Sequence, residues 1–135
     1  MSEPIQGEHQ RVRLVVVDDE RLIGLAVRRL LRRTHDVTHF GAARDALDWL
    51  AEGNGVDVIL TDIRMPGLDG PGFLAELERD HPELMPRVLL LTATPSHELP
   101  GGLAAWKARL IEKPFSAPAL RERLDALTAE LGRAT

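Results

Sequence analysis

Asp18 and Asp19 follow a run of valines, Asp62 follows Val58-Ile59-Leu60-Thr61, and Lys113 follows Leu110-Ile111-Glu112. A hydroxyl, Thr92, ends a fourth apolar run, Val88-Leu89-Leu90-Leu91. Carboxylates with a lysine and a hydroxyl are suited to holding a divalent cation and handling a phosphoryl group. A carboxylate serves as a nucleophile toward phosphorus, a hard cation offsets the charge on the phosphoryl oxygens, and an ammonium or hydroxyl binds those oxygens. Each residue alone also has a plainer reading. An aspartate caps a helix or ends a strand in a turn, most lysines are solvated, and a threonine can simply close a strand. The residues alone leave Asp18 and Asp19 open between capping and metal binding. Two adjacent acids with Glu20 exceed what one cap uses, because like charges repel unless a cation intervenes. An oxygen-only acidic set suits magnesium.

These residues meet only if the four apolar runs are parallel strands of one sheet, whose carboxyl edge is where open α/β sheets bind ligands. The rest of the chain supports that arrangement. Val12 to Val17 reads as a strand buried on both faces. Leu22, Ile23, Ala26, Val27, Leu30 and Leu31 then recur at helical spacing, with Arg21, Arg28, Arg29, Arg32 and Arg33 forming a basic, solvated outer face. Asp36 to Phe40 is a more polar strand suited to a sheet edge. Ala43, Ala46, Leu47 and Leu50 stripe a second helix closed by Gly53-Asn54-Gly55. Val56 to Thr61 is a third strand, and Met65 to Gly70 is a loop. Phe73, Leu74 and Leu77 lie on a helix ended before Pro82, ahead of the strand Val88 to Leu91. Pro100-Gly101-Gly102 breaks the next segment, leaving two turns around Leu103 to Trp106. Arg109 to Glu112 is a fifth strand, and Leu120, Leu124, Leu127 and Leu131 stripe a last helix behind Ser116 as its cap. Strand and helix alternate five times, which implies an α/β fold with a parallel sheet covered on both faces.

The chain has 135 residues, enough for one domain. We expect a polar N-terminal leader over residues 1–10, a domain over 11–132 and no output domain. A net charge of −4 argues against nonspecific nucleic-acid binding. No apolar run approaches the ~20 residues of a membrane span, and the first residues lack a signal-peptide core. The expected setting is cytoplasmic, with neither membrane nor nucleic acid as a direct partner. His9, His35, His39, His81 and His97 lack metal-ligand spacing and read as surface or loop residues. Trp49 and Trp106 read as packing on helices, and Gly67 with Gly70 forms no phosphate-cradling loop.

Taken together, Asp18-Asp19-Glu20, the segment from Asp62-Ile63-Arg64-Met65-Pro66 to Asp69-Gly70, Thr92-Ala93 and Lys113-Pro114-Phe115 resemble the receiver domains of two-component response regulators. The resemblance covers roughly residues 10–132. It implies a single-domain flavodoxin-like (βα)5 fold with sheet order 2-1-3-4-5. It also implies that Asp62 is the phosphoacceptor, that Asp19 and Asp62 ligate Mg²⁺ directly, that Asp18 assists through water, and that the Arg64 carbonyl completes the protein ligands. Thr92 would couple the phosphoryl group to loop movement, and Lys113, before a cis proline, would bind a phosphoryl oxygen. Arg64 and Thr94 occupy positions that tune phosphoryl lifetime. Implied partners are a sensor histidine kinase or histidine phosphotransfer protein and a downstream protein target, with the chain a monomer or weak dimer. Two departures stand out. Leu110 occupies the place of an aromatic found in many receivers, and the fourth helix is broken. Rival readings are a small phosphatase using Asp62 as nucleophile and an interaction module that works without phosphorylation.

Overall fold

The computed structural model describes residues 11–65, 67–93 and 101–134. The expected leader over 1–10, Pro66 and Thr94 lie outside the described residues. Five strands, β1 (Val12–Val17), β2 (His35–Phe40), β3 (Val58–Asp62), β4 (Val88–Thr92) and β5 (Leu110–Glu112), form one sheet in the order β2-β1-β3-β4-β5. Every pairing is parallel. Among the described residues the connections hold four α-helices, α1 (Arg21–Leu31), α2 (Ala43–Ala51), α3 (Gly70–Asp80) and α4 (Ala117–Ala134).

The all-apolar runs predict strands buried on both faces, and alternate residues do serve opposite sides. Val15, Val17, Ile59 and Leu90 pack with Leu47, Leu50, Phe73 and Leu77 of α2 and α3. Leu14, Val16, Leu60, Leu89 and Leu91 pack with Val27 and Leu31 of α1 and with Leu120, Leu124 and Leu127 of α4. Each such large apolar side chain taken from water stabilises the fold by roughly 1.5–3 kcal/mol before chain entropy is counted. Leu22, which the spacing places on the apolar stripe of α1, is instead 77% exposed in the first turn of that helix.

Ser116 caps α4 as the sequence implies, its hydroxyl accepting the Ala119 N–H at 3.1 Å. Several boundaries differ from the sequence reading. β3 begins at Val58 because Asp57 is engaged with Arg13: its carboxylate accepts the Arg13 backbone N–H at 2.8 Å and two guanidinium hydrogen bonds. A 3₁₀ segment, Pro82–Arg87, follows α3, started by Pro82 and carrying Pro86, which suits short 3₁₀ turns better than a helix. Between β4 and β5 the two expected turns are a nine-residue 3₁₀ segment, Gly101–Arg109. Trp106 lies on that segment with the Arg109 guanidinium 4.4 Å from its ring centre. Trp49 on α2 packs against Phe40 at 5.5 Å.

One histidine corrects the sequence reading: His35 is a buried residue of β2, not a surface or loop position, whereas His39 lies on the strand expected over 36–40 and is half-buried. His35 is buried and bonded to the Thr34 hydroxyl through Nδ1 at 2.7 Å. Burial pushes its imidazole below the ordinary histidine value. An edge strand with one covered face accepts a histidine when each ring nitrogen finds a partner or water.

Candidate functional site

The parallel register brings the strand ends into line. Val17 pairs with Thr61, so Asp18 and Asp62 leave neighbouring strands side by side. Asp62 pairs with Leu91, and Thr92 pairs with Glu112, which places Lys113 one residue beyond the edge. Asp18 is fully buried, Thr92 is 1% exposed and Asp62 is 7% exposed. The Lys113 N–H donates to the Thr92 carbonyl at 2.7 Å, fastening the end of β5 to that of β4. The Lys113–Pro114 bond is cis, as the resemblance implies.

The Lys113 ammonium stands at the centre of the acids. Its Nζ lies 2.8 Å from Asp18 Oδ2, 2.8 Å from Glu20 Oε1 and 2.9 Å from Asp62 Oδ2. Burial alone would depress this ammonium, but its close ion pair with Asp18 and the hydrogen bonds it donates to Asp62 and Glu20 outweigh that and hold the group well above the usual lysine value. Asp18 moves the other way for a carboxylate. Burial raises it above the ordinary range, the Lys113 contact only partly counters that, and the Asp62 charge adds to it.

Each carboxylate is also oriented by backbone. Asp18 Oδ1 accepts the Glu20 N–H at 2.8 Å, and Asp62 Oδ1 accepts the Arg64 N–H at 3.1 Å. The capping role that the sequence left open for Asp18 is not taken up: the N-cap of α1 is Glu20, without a side-chain cap, and Asp18 forms only a local turn ahead of the helix that engages one oxygen. The other, Oδ2, meets Lys113 by charge but lacks a well-directed hydrogen bond.

The loop after β3 is held tightly. Gly67 adopts φ +76°, open to glycine at little cost. A Cβ at Gly70 would come within 2.7 Å of the Ile63 backbone, and the Gly70 N–H donates to the Ile63 carbonyl at 2.8 Å. Asp69 caps α3 by accepting the Gly72 N–H at 3.0 Å. These contacts hold Ile63 against the start of α3, next to the Arg64 peptide that donates to Asp62.

Ligand oxygens of Asp18, Glu20 and Asp62 lie within 4.8 Å of one another. This oxygen-only set, with a buried Asp18 oxygen left without a directed hydrogen bond, fits a hard divalent cation such as Mg²⁺. Three carboxylates against one ammonium leave two negative charges in excess, which such an ion neutralises. Among the described residues Asp19 is exposed and outside this trio, whereas Glu20 is inside it. Sequence reasoning noted Glu20 as an extra acid but did not foresee its contact with Lys113. That contact joins residues far apart in the chain, and no local pattern encodes it. Leu110, in the place of the usual aromatic, is buried at the margin of the core.

The model of the response regulator receiver domain matches residues 14–125. The response regulator MprA of Mycolicibacterium vanbaalenii is 35% identical over 122 residues, which cover 86% of this chain and 50% of that protein. A protein-glutamate methylesterase/protein-glutamine glutaminase of Albidiferax ferrireducens is 38% identical over 90 residues, covering 64% of this chain and 23% of that protein. The chain thus spans half or less of these relatives' length. Among solved structures, the chemotaxis protein CheY4 of Vibrio cholerae superposes with a TM-score of 0.76 at 26% identity, covering 87% of this chain and 98% of the other. With the parallel sheet in flavodoxin-like order and the acids, threonine and lysine at its carboxyl edge, the chain belongs to the response regulator receiver domain family.

Proposed function

We propose that the domain is a phosphoacceptor switch whose Asp62 takes a phosphoryl group from a histidine-bearing partner, a sensor kinase or a phosphotransfer protein. The observation that carries this is the setting of Asp62: one oxygen on the Lys113 ammonium, the other on the Arg64 N–H, and the oxygens of Asp18 and Glu20 beside it. Asp18 and Asp62 would hold Mg²⁺ together with Asp19 and the Arg64 carbonyl, and Glu20 stands near enough to join them. The ion, when bound, supplies positive charge that offsets the phosphoryl oxygens during transfer.

An Asp62 oxygen attacks phosphorus as the donor's P–N bond breaks, and the departing imidazole keeps the electron pair and takes a proton. Lys113 follows the charge from the carboxylate to a phosphoryl oxygen. Thr92, at the end of the adjoining strand, offers a hydroxyl to another. A tether from its carbonyl to the Lys113 N–H couples both responses to the ends of β4 and β5. The added charge shifts the population between two surface states, which a downstream protein reads. The domain acts as a switch in a cytoplasmic relay and turns over no metabolite. With Leu110 already buried, the readout runs without an inward-swinging aromatic at that position.

The test is beryllofluoride, a phosphoryl mimic, added with Mg²⁺ and followed by amide NMR. Shifts should spread from Asp62 to Thr92 and Lys113 in the wild type and vanish in Asp62→Ala. No shifts in the wild type, or the same shifts in the variant, would contradict the reading.

A further inference from the structure

We infer that His39 is a positioning residue for the acidic loop, seated by the absence of a side chain at Gly24, and that it tunes cation affinity without touching the ion. The inference rests on the reading of the site as a cation-assisted phosphoacceptor. Asp18 sits one residue past the last paired position of β1, so its carbonyl has no strand partner on either side. A peptide carbonyl so placed needs a donor, because a buried one left unmet is costly. His39 supplies it: Nε2 lies 2.7 Å from the Asp18 oxygen, which makes this nitrogen the protonated one. The Asp18 N–H donates to the Phe40 carbonyl at 3.0 Å. With Oδ1 on the Glu20 N–H, three hydrogen bonds fix Asp18, leaving only Oδ2 directed at the site.

Gly24 makes the room. A Cβ there would lie 2.4 Å from Cγ of the His39 ring and 2.5 Å from Nδ1. Glycine weakens a helix, yet Gly24 stands buried as the fourth residue of α1. The ring therefore lies between the helix and the strand end, in a seat that any larger residue at position 24 would close. His39 and Gly24 act as a pair, and both act through the Asp18 backbone. Groups that orient a ligand from behind commonly change metal affinity by about 10–100-fold when removed.

Mg²⁺ titrations by amide NMR on the intact chain test this, at a temperature where each variant is folded. His39→Phe keeps the ring volume but not the donor, and should weaken Mg²⁺ binding about 10-fold. His39→Gln, which can still donate to the carbonyl, should recover part of the loss. Gly24→Ala should show a similar loss, and adding it to His39→Phe should cost less than the sum of the two. A filler role alone would lower thermal stability and leave the affinity of the folded protein unchanged. Wild-type affinity in folded His39→Phe would overturn the inference, whereas failure of the wild type to bind Mg²⁺ would overturn the phosphoacceptor reading beneath it.

Discussion

Lys113 is the counter-ion that lets two buried carboxylates share one strand edge. Its ammonium touches Asp18, Glu20 and Asp62 at once, and Asp18 and Asp62 have almost no water to turn to. Lys113→Met should therefore destabilise the fold at neutral pH by about 3 kcal/mol, the cost of stranding buried charges. Urea unfolding measures it. The pH dependence follows from the two shifts. Asp18 is raised, so its contribution is present below the unfolded value of about 3.9 and is lost as pH rises through its higher folded value. Lys113 is also raised, so its contribution persists until about pH 10.4 and is lost as pH rises through its folded value above that. Without the lysine, only the acid's slope remains. The deficit of Lys113→Met should then shrink as pH falls toward 4; a deficit independent of pH would argue against this pairing.

The elements were legible in the sequence to the extent that local chemistry specifies them. Apolar runs gave β1, β3 and β4, helical stripes gave α1 to α4, and Ser116 marked a helix start. The 3₁₀ segments were not legible, because prolines and glycines announce a break without saying which turn replaces the helix. β2 was legible as an edge strand, but its histidines were not, since their partners are the Thr34 hydroxyl and the Asp18 carbonyl. The loop between β3 and α3 makes a prediction at this scale. Gly70→Ala would drive a Cβ into the Ile63 backbone, which cannot yield as a side chain would. A cost of about 1–3 kcal/mol is expected by thermal unfolding. Because Ile63 and Arg64 move together, Mg²⁺ binding should weaken as well, while a variant that loses stability alone would show the loop and site to be independent.

At the scale of the whole molecule, a fold built from a buried parallel sheet concentrates excess negative charge at one end and stabilises it with a single lysine. A cation bound there should stabilise the native state by mass action. At a Mg²⁺ concentration about 100 times the dissociation constant, the gain is about 2.7 kcal/mol. The melting temperature should rise with Mg²⁺ in the wild type and much less in Asp62→Asn. The fold and the meeting of Asp18, Asp62, Thr92 and Lys113 at one edge were legible because strand-end residues and parallel order suffice to place them. The exposed position of Asp19 and the reach of Glu20 to Lys113 were not, because side-chain direction past a strand end depends on contacts distant in sequence. The most direct measurement of the central claim is covalent. The intact protein is incubated with a small acyl phosphate, with and without Mg²⁺, and its mass is recorded. The wild type should gain one phosphoryl group, labile to alkali or hydroxylamine, only with the ion present, and Asp62→Asn should gain none. Equal labelling of Asp62→Asn, or no labelling of the wild type, would contradict it.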